Sequence, residues 1–530
     1  MRFLHVQQLT VILWSFLSLV CSGFSQGLLM PSGPPGPTYR TLDQVEPRIP
    51  LSEAPVAITN AGSYYLTQNL SNFVAIAANN VTLDLMGFSI HSPFGSAITM
   101  GFPQTNIVIR NGFLSAANGS GIGFNLSSIG ANGLIEDVIV QGVSQYGISV
   151  KDGFTVRRCQ ISQAGDVGIR VEGNSVVEDN QITGCAIGLQ GKGLGARFAR
   201  NLVFGNEDNY LFVAGDQINL LLSEIPEALD WPCSATFAGT LSVDSPGTTG
   251  ILVNADQVTI DLAGHSLVGP GQNVNNRSIG IYQLSDRRGL TVKNGTIVGW
   301  RGFQDYGIRA LGEGVLFENL IAVSNYWGFL GGDRVVDCVA AYNINTGMIV
   351  SEGTVEGCSA VHNGFDGIAG SYGLVRGCNA IGNGHDGISL SRGSVIDCLV
   401  TSNGVHGVSG SQALVRNVLA NYNGGNGIDV FSDAQISSCM AHENGASGFA
   451  IGGTGVRIED SHARENQTGF SAASSNNLFI GNTTSGNATN WSLAAGNVGL
   501  VVSAVPTGPV VGDSGGASPG STNPFANFTF

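Results

Sequence analysis

Positive charge is the first thing this sequence is short of. Lysine and arginine together number 23 against 38 aspartates and glutamates, a formal net charge of −15. A chain so poor in basic residues has no patch to meet a phosphate backbone, which excludes nucleic acid as a partner. Neutral and cationic partners stay open. Charge of either sign is scarce, at 12% of residues. After the first 25 residues no apolar run reaches 18, so no transmembrane helix is expected in the mature chain. Long stretches free of glycine are also rare: 77 glycines, without a collagen triplet, point to a turn-rich all-β chain.

What is present is one pattern written six times between Val335 and Gly448, of the form V-x-x-C-x-A-x-x-N-G-x-x-G-I. Cys338, Cys358, Cys378 and Cys398 recur at steps of 20, followed in the column by Val418 and Cys439. Five positions later come Asn343, Asn363, Asn383, Asn403, Asn423 and Asn444, and nine positions later Gly347, Gly367, Gly387, Gly407, Gly427 and Gly448. A fixed period of this length marks an array of identical units. Two glycines within four residues rule out a helix pair, since each costs about 1 kcal/mol in a helix interior. Twenty residues do fit two or three short strands joined by bends, each coil stacking on the next at roughly 4.8 Å. The expectation is an all-β, right-handed parallel β-helix.

Within a coil, Val355, Cys358 and Ala360 should point inward, with a bend at Gly357. The asparagine column should satisfy itself by passing amide hydrogen bonds from coil to coil. Its thiols should be structural, because in-register cysteines point the same way and match disulfide geometry poorly. Nor does one ligand per coil make a metal cage, so no metal site is assigned. Of the eight cysteines after Cys21, Cys185 and Cys233 have no place in a ladder and could pair with each other.

Residues 1–25 read as a secretory signal: Arg2, the apolar run Leu9 to Val20, then Gly23-Phe24-Ser25. Export to the extracellular space or periplasm is expected, as a monomer. Residues 26–50 form a Pro/Gly-rich linker. Matched segments indicate a duplication: Val81-Thr82-Leu83-Asp84-Leu85 returns as Val258-Thr259-Ile260-Asp261-Leu262, and Ile107 to Gly112 returns as Leu290 to Gly295. The chain is read as a first unit over 51–215, with its own ladder Val138, Cys159, Asn180, Asn201, and a second over 216–505. Period-2 alternation puts Asp84 and Asp261 on the outer face. The Gly/Pro/Ser-rich tail 506–530 is expected to lie along the body and park its aromatics in a groove.

The chain resembles secreted bacterial right-handed parallel β-helix repeat proteins. Val45 to Leu51, Gly62 to Leu70, Val81 to Phe88 and Ala526-Asn527-Phe528 carry the resemblance. It implies architecture far more than activity. Its later coils also look like the carbohydrate-binding and sugar-hydrolase repeats shared with mannuronan epimerases, pectate lyases and polygalacturonases. The signatures of those enzymes are missing: there is no ordered N-T-D, D-D, G-H-G series, no pectate-lyase arginine motif and no Y-G-x-D-P-H.

Chemistry in a solenoid should sit where equivalent positions form a row. Eight residues after the ladder position come Thr346, Asp366, Asp386, His406, Asn426 and Ser447, with His385 beside Asp386. Asp366, Asp386, His385 and His406 are the candidate catalytic set, able to act on a glycosidic bond or a uronate C5 proton. The same column is also where a bend before glycine takes Asp, Asn, Thr and Ser for local backbone bonding, which is the preferred reading. Trp300, Tyr306, Tyr326 and Trp327, with His362, are the candidate substrate-binding residues, an aromatic platform for sugar rings. No cofactor is expected, with calcium left open. Three functions follow: a non-catalytic protein binding polysaccharide or a cell-envelope partner, which is favoured; a polysaccharide lyase, epimerase or hydrolase; and a structural stalk or adhesin.

Overall fold

A computed structural model describes residues 47–101, 104–124, 132–193, 195–213, 216–225, 227–271, 277–503 and 525–530. The segment read as a secretory signal, nearly all of the linker and most of the tail lie outside the described residues. The chain forms a right-handed parallel β-helix, with 57 strands and no α-helix among the described residues. From Ile49 to Phe530 it is one compact unit.

One coil illustrates the rest. Thr354–Glu356, Ser359–Val361 and Ile368–Ser371 are its three strands. The first two belong to a 36-stranded sheet and the third to a 13-stranded sheet. Val355, Cys358 and Ala360 are buried. The bend slot between the first two strands takes positive φ in coil after coil, at Asp337, Gly357, Gly377, Asp397 and Asn417. Gly, Asn and Asp are the residues that tolerate this conformation.

The glycine of the N-G-x-x-G-I pattern has a different cause. Its φ is ordinary, but a Cβ on Gly367 would lie 2.6 Å from the carbonyl oxygen of Gly387, and one on Gly387 2.7 Å from that of Gly407. The column is glycine because two coils touch there, backbone to backbone.

Asparagine closes each coil as expected. Asn363 donates its backbone N–H and its Nδ2 to Asn383 Oδ1 at 3.1 and 2.9 Å, and Nδ2 also donates to the Ala340 carbonyl at 3.0 Å. The arrangement repeats from Asn343 to Asn466. The cysteine column does the same work more weakly: Cys338 N–H donates to Cys358 Sγ at 3.4 Å, and that thiol donates to the Val335 carbonyl. Further along, Ser461 and then Asn482 take over the slot. All eight described cysteines are free and buried, so Cys185 and Cys233 stand as separate thiols.

The large sheet runs without a break past residue 216, from Arg197–Phe204 through Gln217–Leu222 to Cys233–Phe237. The opposite face divides there, into eight strands ending at Asp208–Leu211 and thirteen starting at Glu227–Leu229. The matched sequence segments occupy matched places. Asp84 pairs with Arg110 at 3.0 Å and Asp261 with Lys293 at 3.7 Å. Asn111 and Asn294 donate Nδ2 to those carboxylates at 3.2 and 3.1 Å.

Two expectations need correction. Asp84 is outward in register but buried, because Arg110 and Asn111 lie over it. The chain end is not a tail parked in a groove: Ala526–Thr529 is a strand of the main sheet, paired with Thr483–Ser485 and Val498–Ser503.

Candidate functional site

The 13-stranded sheet aligns the sequence candidates in a way their spacing hid. Tyr306 pairs in register with Trp327, and Phe329 with Met348, which sets Trp327 beside Thr346. Met348, Ile368, Ile388 and Val408 continue in register. The residue two before each of these last four is Thr346, Asp366, Asp386 and His406. Tyr306, Trp327, Thr346, Asp366, Asp386 and His406 are therefore one column, five coil steps or about 24 Å long. The adjoining column holds Tyr326, Asn345, Phe365 and His385, joined by backbone bonds of 2.8, 3.4 and 3.2 Å.

At one end are stacked rings. Tyr306 and Trp327 lie 4.5 Å apart at 20°, and Tyr326 meets Trp327 edge-on at 4.7 Å. At the other end are acids and imidazoles. His385 Nδ1 is 2.6 Å from Asp366 Oδ1 and 3.7 Å from Asp386 Oδ1. The His385 ring stacks on Phe365 at 4.3 Å and 7°, with Phe365 itself 45% exposed. Burial pushes the Asp366 carboxyl above its ordinary range, against the lowering effect of the His385 bond. Between the strip and the next corner, the outward positions Ala369, Ser389 and Ser409 are small and in register.

The bend chemistry expected of this column is also there. Asp386 N–H donates to Asp366 Oδ1 at 3.1 Å, His406 N–H to Asp386 Oδ1 at 3.0 Å, and Asn426 N–H to His406 Nδ1 at 3.1 Å. The last bond fixes a tautomer. Nδ1 accepts, so the neutral ring carries its proton on Nε2, which faces Asp429 Oδ2 at 3.7 Å. Burial raises the Asp429 carboxyl as well. Asp366, Asp386 and His406 thus splice neighbouring coils through one atom each. Oδ2 of each aspartate is left as a second acceptor.

Two candidates fall outside the strip. Trp300 is wholly buried, with Gly269 and Gly280 packed so closely that a Cβ on either would meet its indole at 2.7 and 3.0 Å. It is a core residue and no platform. His362 occupies a positive-φ corner and stacks on Tyr342 at 5.3 Å, apart from the acid–imidazole group. Phe365 and Asp429 went unassigned in the sequence. The alternation Ile428-Asp429-Val430 does mark Asp429 as outward.

Asp366, His385 and Asp386 bring ligand atoms within 4.8 Å of one another. Calcium takes six to eight oxygens. Two carboxylates, each already accepting a backbone N–H, and one imidazole nitrogen do not match that demand, so no calcium role is assigned to them.

No family model matches the chain, and no curated protein matches it in sequence. Among solved structures it is similar to the A-module of Azotobacter vinelandii mannuronan C-5 epimerase AlgE6, at 17% identity and a TM-score of 0.40 over 53% of this chain and 88% of that one. The AlgE4 A-module of the same organism gives 14% and 0.37, over 63% of this chain and 90% of that one. The Dettilon tailspike protein gives 12% and 0.32, over 61% and 62%. All are too distant to bear on ligand or chemistry.

Proposed function

We propose that this is an exported polysaccharide-binding protein that holds its glycan along the strip from Tyr306 to His406. The observation that carries the reading is the alignment itself: a stacked Tyr306/Trp327 platform in the same column as Asp366, Asp386 and His406. Rings offer flat apolar faces to the C–H side of a sugar. Carboxylates and imidazoles accept and donate to its hydroxyls, and a repeat along the solenoid suits a repeating ligand. The floor of Ala369, Ser389 and Ser409 leaves room beside them.

A second reading, chemical modification of the glycan, rests on the His385–Asp366 contact. A half-exposed imidazole oriented by a buried carboxylate is an arrangement for acid–base work. A lyase, an epimerase and a hydrolase are each compatible with it.

Affinity electrophoresis against immobilised alginate, pectate, sulfated fucan and chondroitin tests the proposal, run beside assays for unsaturated ends, reducing sugar and C5 inversion. Retardation on one polymer, reduced about tenfold or more in Trp327→Ala and Phe365→Ala with folding intact, is the expected result. Retardation untouched by both substitutions would place the glycan elsewhere. Turnover lost in His385→Ala would move the function to the second reading.

A further inference from the structure

Asp366 and Asp386 stand one coil step apart, about 4.8 Å. Both are nearly closed off from solvent, at 7% and 4% exposed. Acids elsewhere in the fold meet a base: Asp84 has Arg110, Glu136 has Arg157 and Glu172 has Lys151. Among the described residues neither Asp366 nor Asp386 is ion-paired to a lysine or an arginine. Their basic neighbour is a single imidazole, whose Nδ1 lies 2.6 Å from Asp366 Oδ1 and 3.7 Å from Asp386 Oδ1. Two buried like charges side by side are costly unless a cation compensates them. A neutral imidazole does not.

The three side chains also present a set of donors. One oxygen of each aspartate and one nitrogen of His385 lie within 4.8 Å of one another. An ionised carboxylate has roughly four lone-pair sites. The backbone splice uses one on Asp366 and one on Asp386, so both keep oxygen lone pairs for a further partner. His385 is held in direction by its stack on Phe365, at 4.3 Å and 7°. Zinc takes imidazole nitrogen and carboxylate oxygen at about 2.0–2.2 Å, which puts the ligands of a tetrahedral ion about 3.3 Å apart. The two nitrogen–oxygen distances, 2.6 and 3.7 Å, bracket that value.

We propose that Asp366, His385 and Asp386 bind a divalent transition metal of the zinc class, through one oxygen of each aspartate and Nδ1 of the imidazole. Two carboxylates match the charge of the ion, and an imidazole ligand selects zinc and its neighbours over magnesium and calcium. The exchange balances: Nδ1 gives up its proton to make the bond, and the neutral ring is protonated at Nε2 instead. Three protein ligands leave a fourth position for water or a hydroxyl. The site does not depend on the strip holding a glycan. The exposed group His442, Glu443 and Glu465 is the weaker place for an ion, because Arg464 already holds Glu465 and Tyr422 holds Glu443.

Isothermal titration of the chelator-treated full chain with zinc chloride tests this, with the visible spectrum of bound cobalt(II) as a second readout. Zinc should bind saturably at about one ion per chain. His385→Ala, with folding checked by circular dichroism, should abolish zinc binding and the cobalt spectrum together. Asp386→Asn, which keeps the coil splice, should weaken zinc about tenfold or more. Glu465→Gln should leave both readouts unchanged, and excess calcium should not displace the zinc. No saturable binding, full binding by folded His385→Ala, loss of binding in Glu465→Gln, or displacement by calcium would each overturn the assignment.

Discussion

Asn482 gives both its backbone N–H and its side-chain amide to a single atom, Oδ1 of Asn527, at 2.9 and 3.0 Å, across 45 residues of sequence. Asn527 in turn donates Nδ2 to the Phe479 carbonyl at 3.0 Å. Asn527 is therefore a rung of the column that begins with cysteines, and the A-N-F sequence is there for the asparagine.

Replacing Asn527 with alanine should leave the Asn482 donors buried and unpaired, at a cost of about 2–4 kcal/mol. In a solenoid the loss is local, because each coil touches only its neighbours. Hydrogen exchange should speed up at Asn482 and Phe528 while amides near Asn383 keep their protection. Uniform loss of protection along the whole body would contradict a rung-by-rung architecture.

Glu227 begins the thirteen-stranded sheet, and burial, helped by nearby Glu224 and Asp230, pushes its carboxyl up to about 7. The folded state holds a proton that the unfolded chain releases near 4.5. Its contribution to stability is complete below that value and is lost as pH rises through about 7. Glu227→Gln should be more stable than the parent at pH 8 by roughly 1–3 kcal/mol and indistinguishable from it at pH 4. Denaturant midpoints at the two pH values check this. An equal shift at both would mean that the side chain acts by packing and not by charge.

The buried thiols should be silent. Burial pushes Cys159, Cys233 and Cys439 up to about 12, and Cys358 and Cys378 reach the same level because each holds its proton in a hydrogen bond with the preceding sulfur, while Cys338 at the head of that row is lowered. The thiolate is the reacting species. All eight described cysteines are buried, Cys338 included, so at pH 8 an aromatic disulfide reagent should label none of them in the native protein and all of them in guanidinium. Fast labelling of any of the eight under native conditions would show that its coil opens.

The columns were legible in the sequence because each answers one local demand, repeated. Asparagine closes a coil, glycine lets two backbones touch, and a short polar residue or glycine takes a positive φ, so a count of 20 found all three. The strip was not legible as one object. From Tyr306 to Trp327 the step is 21 residues and from Trp327 to Thr346 it is 19, so the aromatic pair and the acid–imidazole group shared no common count. Trp300 looked like a neighbour of Trp327, yet it faces inward because Gly269 and Gly280 leave room for an indole. The rung at Asn527 was hidden for a related reason: it lies 45 residues from Asn482, more than twice the repeat.

Asp386 separates the structural part of its column from any chemical part. Its Oδ1 accepts the His406 N–H at 3.0 Å, the same task that Asn426 Oδ1 performs for Ser447 at 2.9 Å. An amide can therefore replace the carboxylate without breaking the splice. Asp386→Asn should fold with a stability within about 0.5 kcal/mol of the parent, whereas Asp386→Ala, which leaves a buried N–H unpaired, should lose about 1–3 kcal/mol. Glycan retention or turnover measured on the same two variants then has a plain meaning. If Asp386→Asn keeps its stability but loses function, the carboxylate faces the ligand. If both variants lose function only in proportion to stability, Asp386 is a bend residue and the ligand is held by the rings alone.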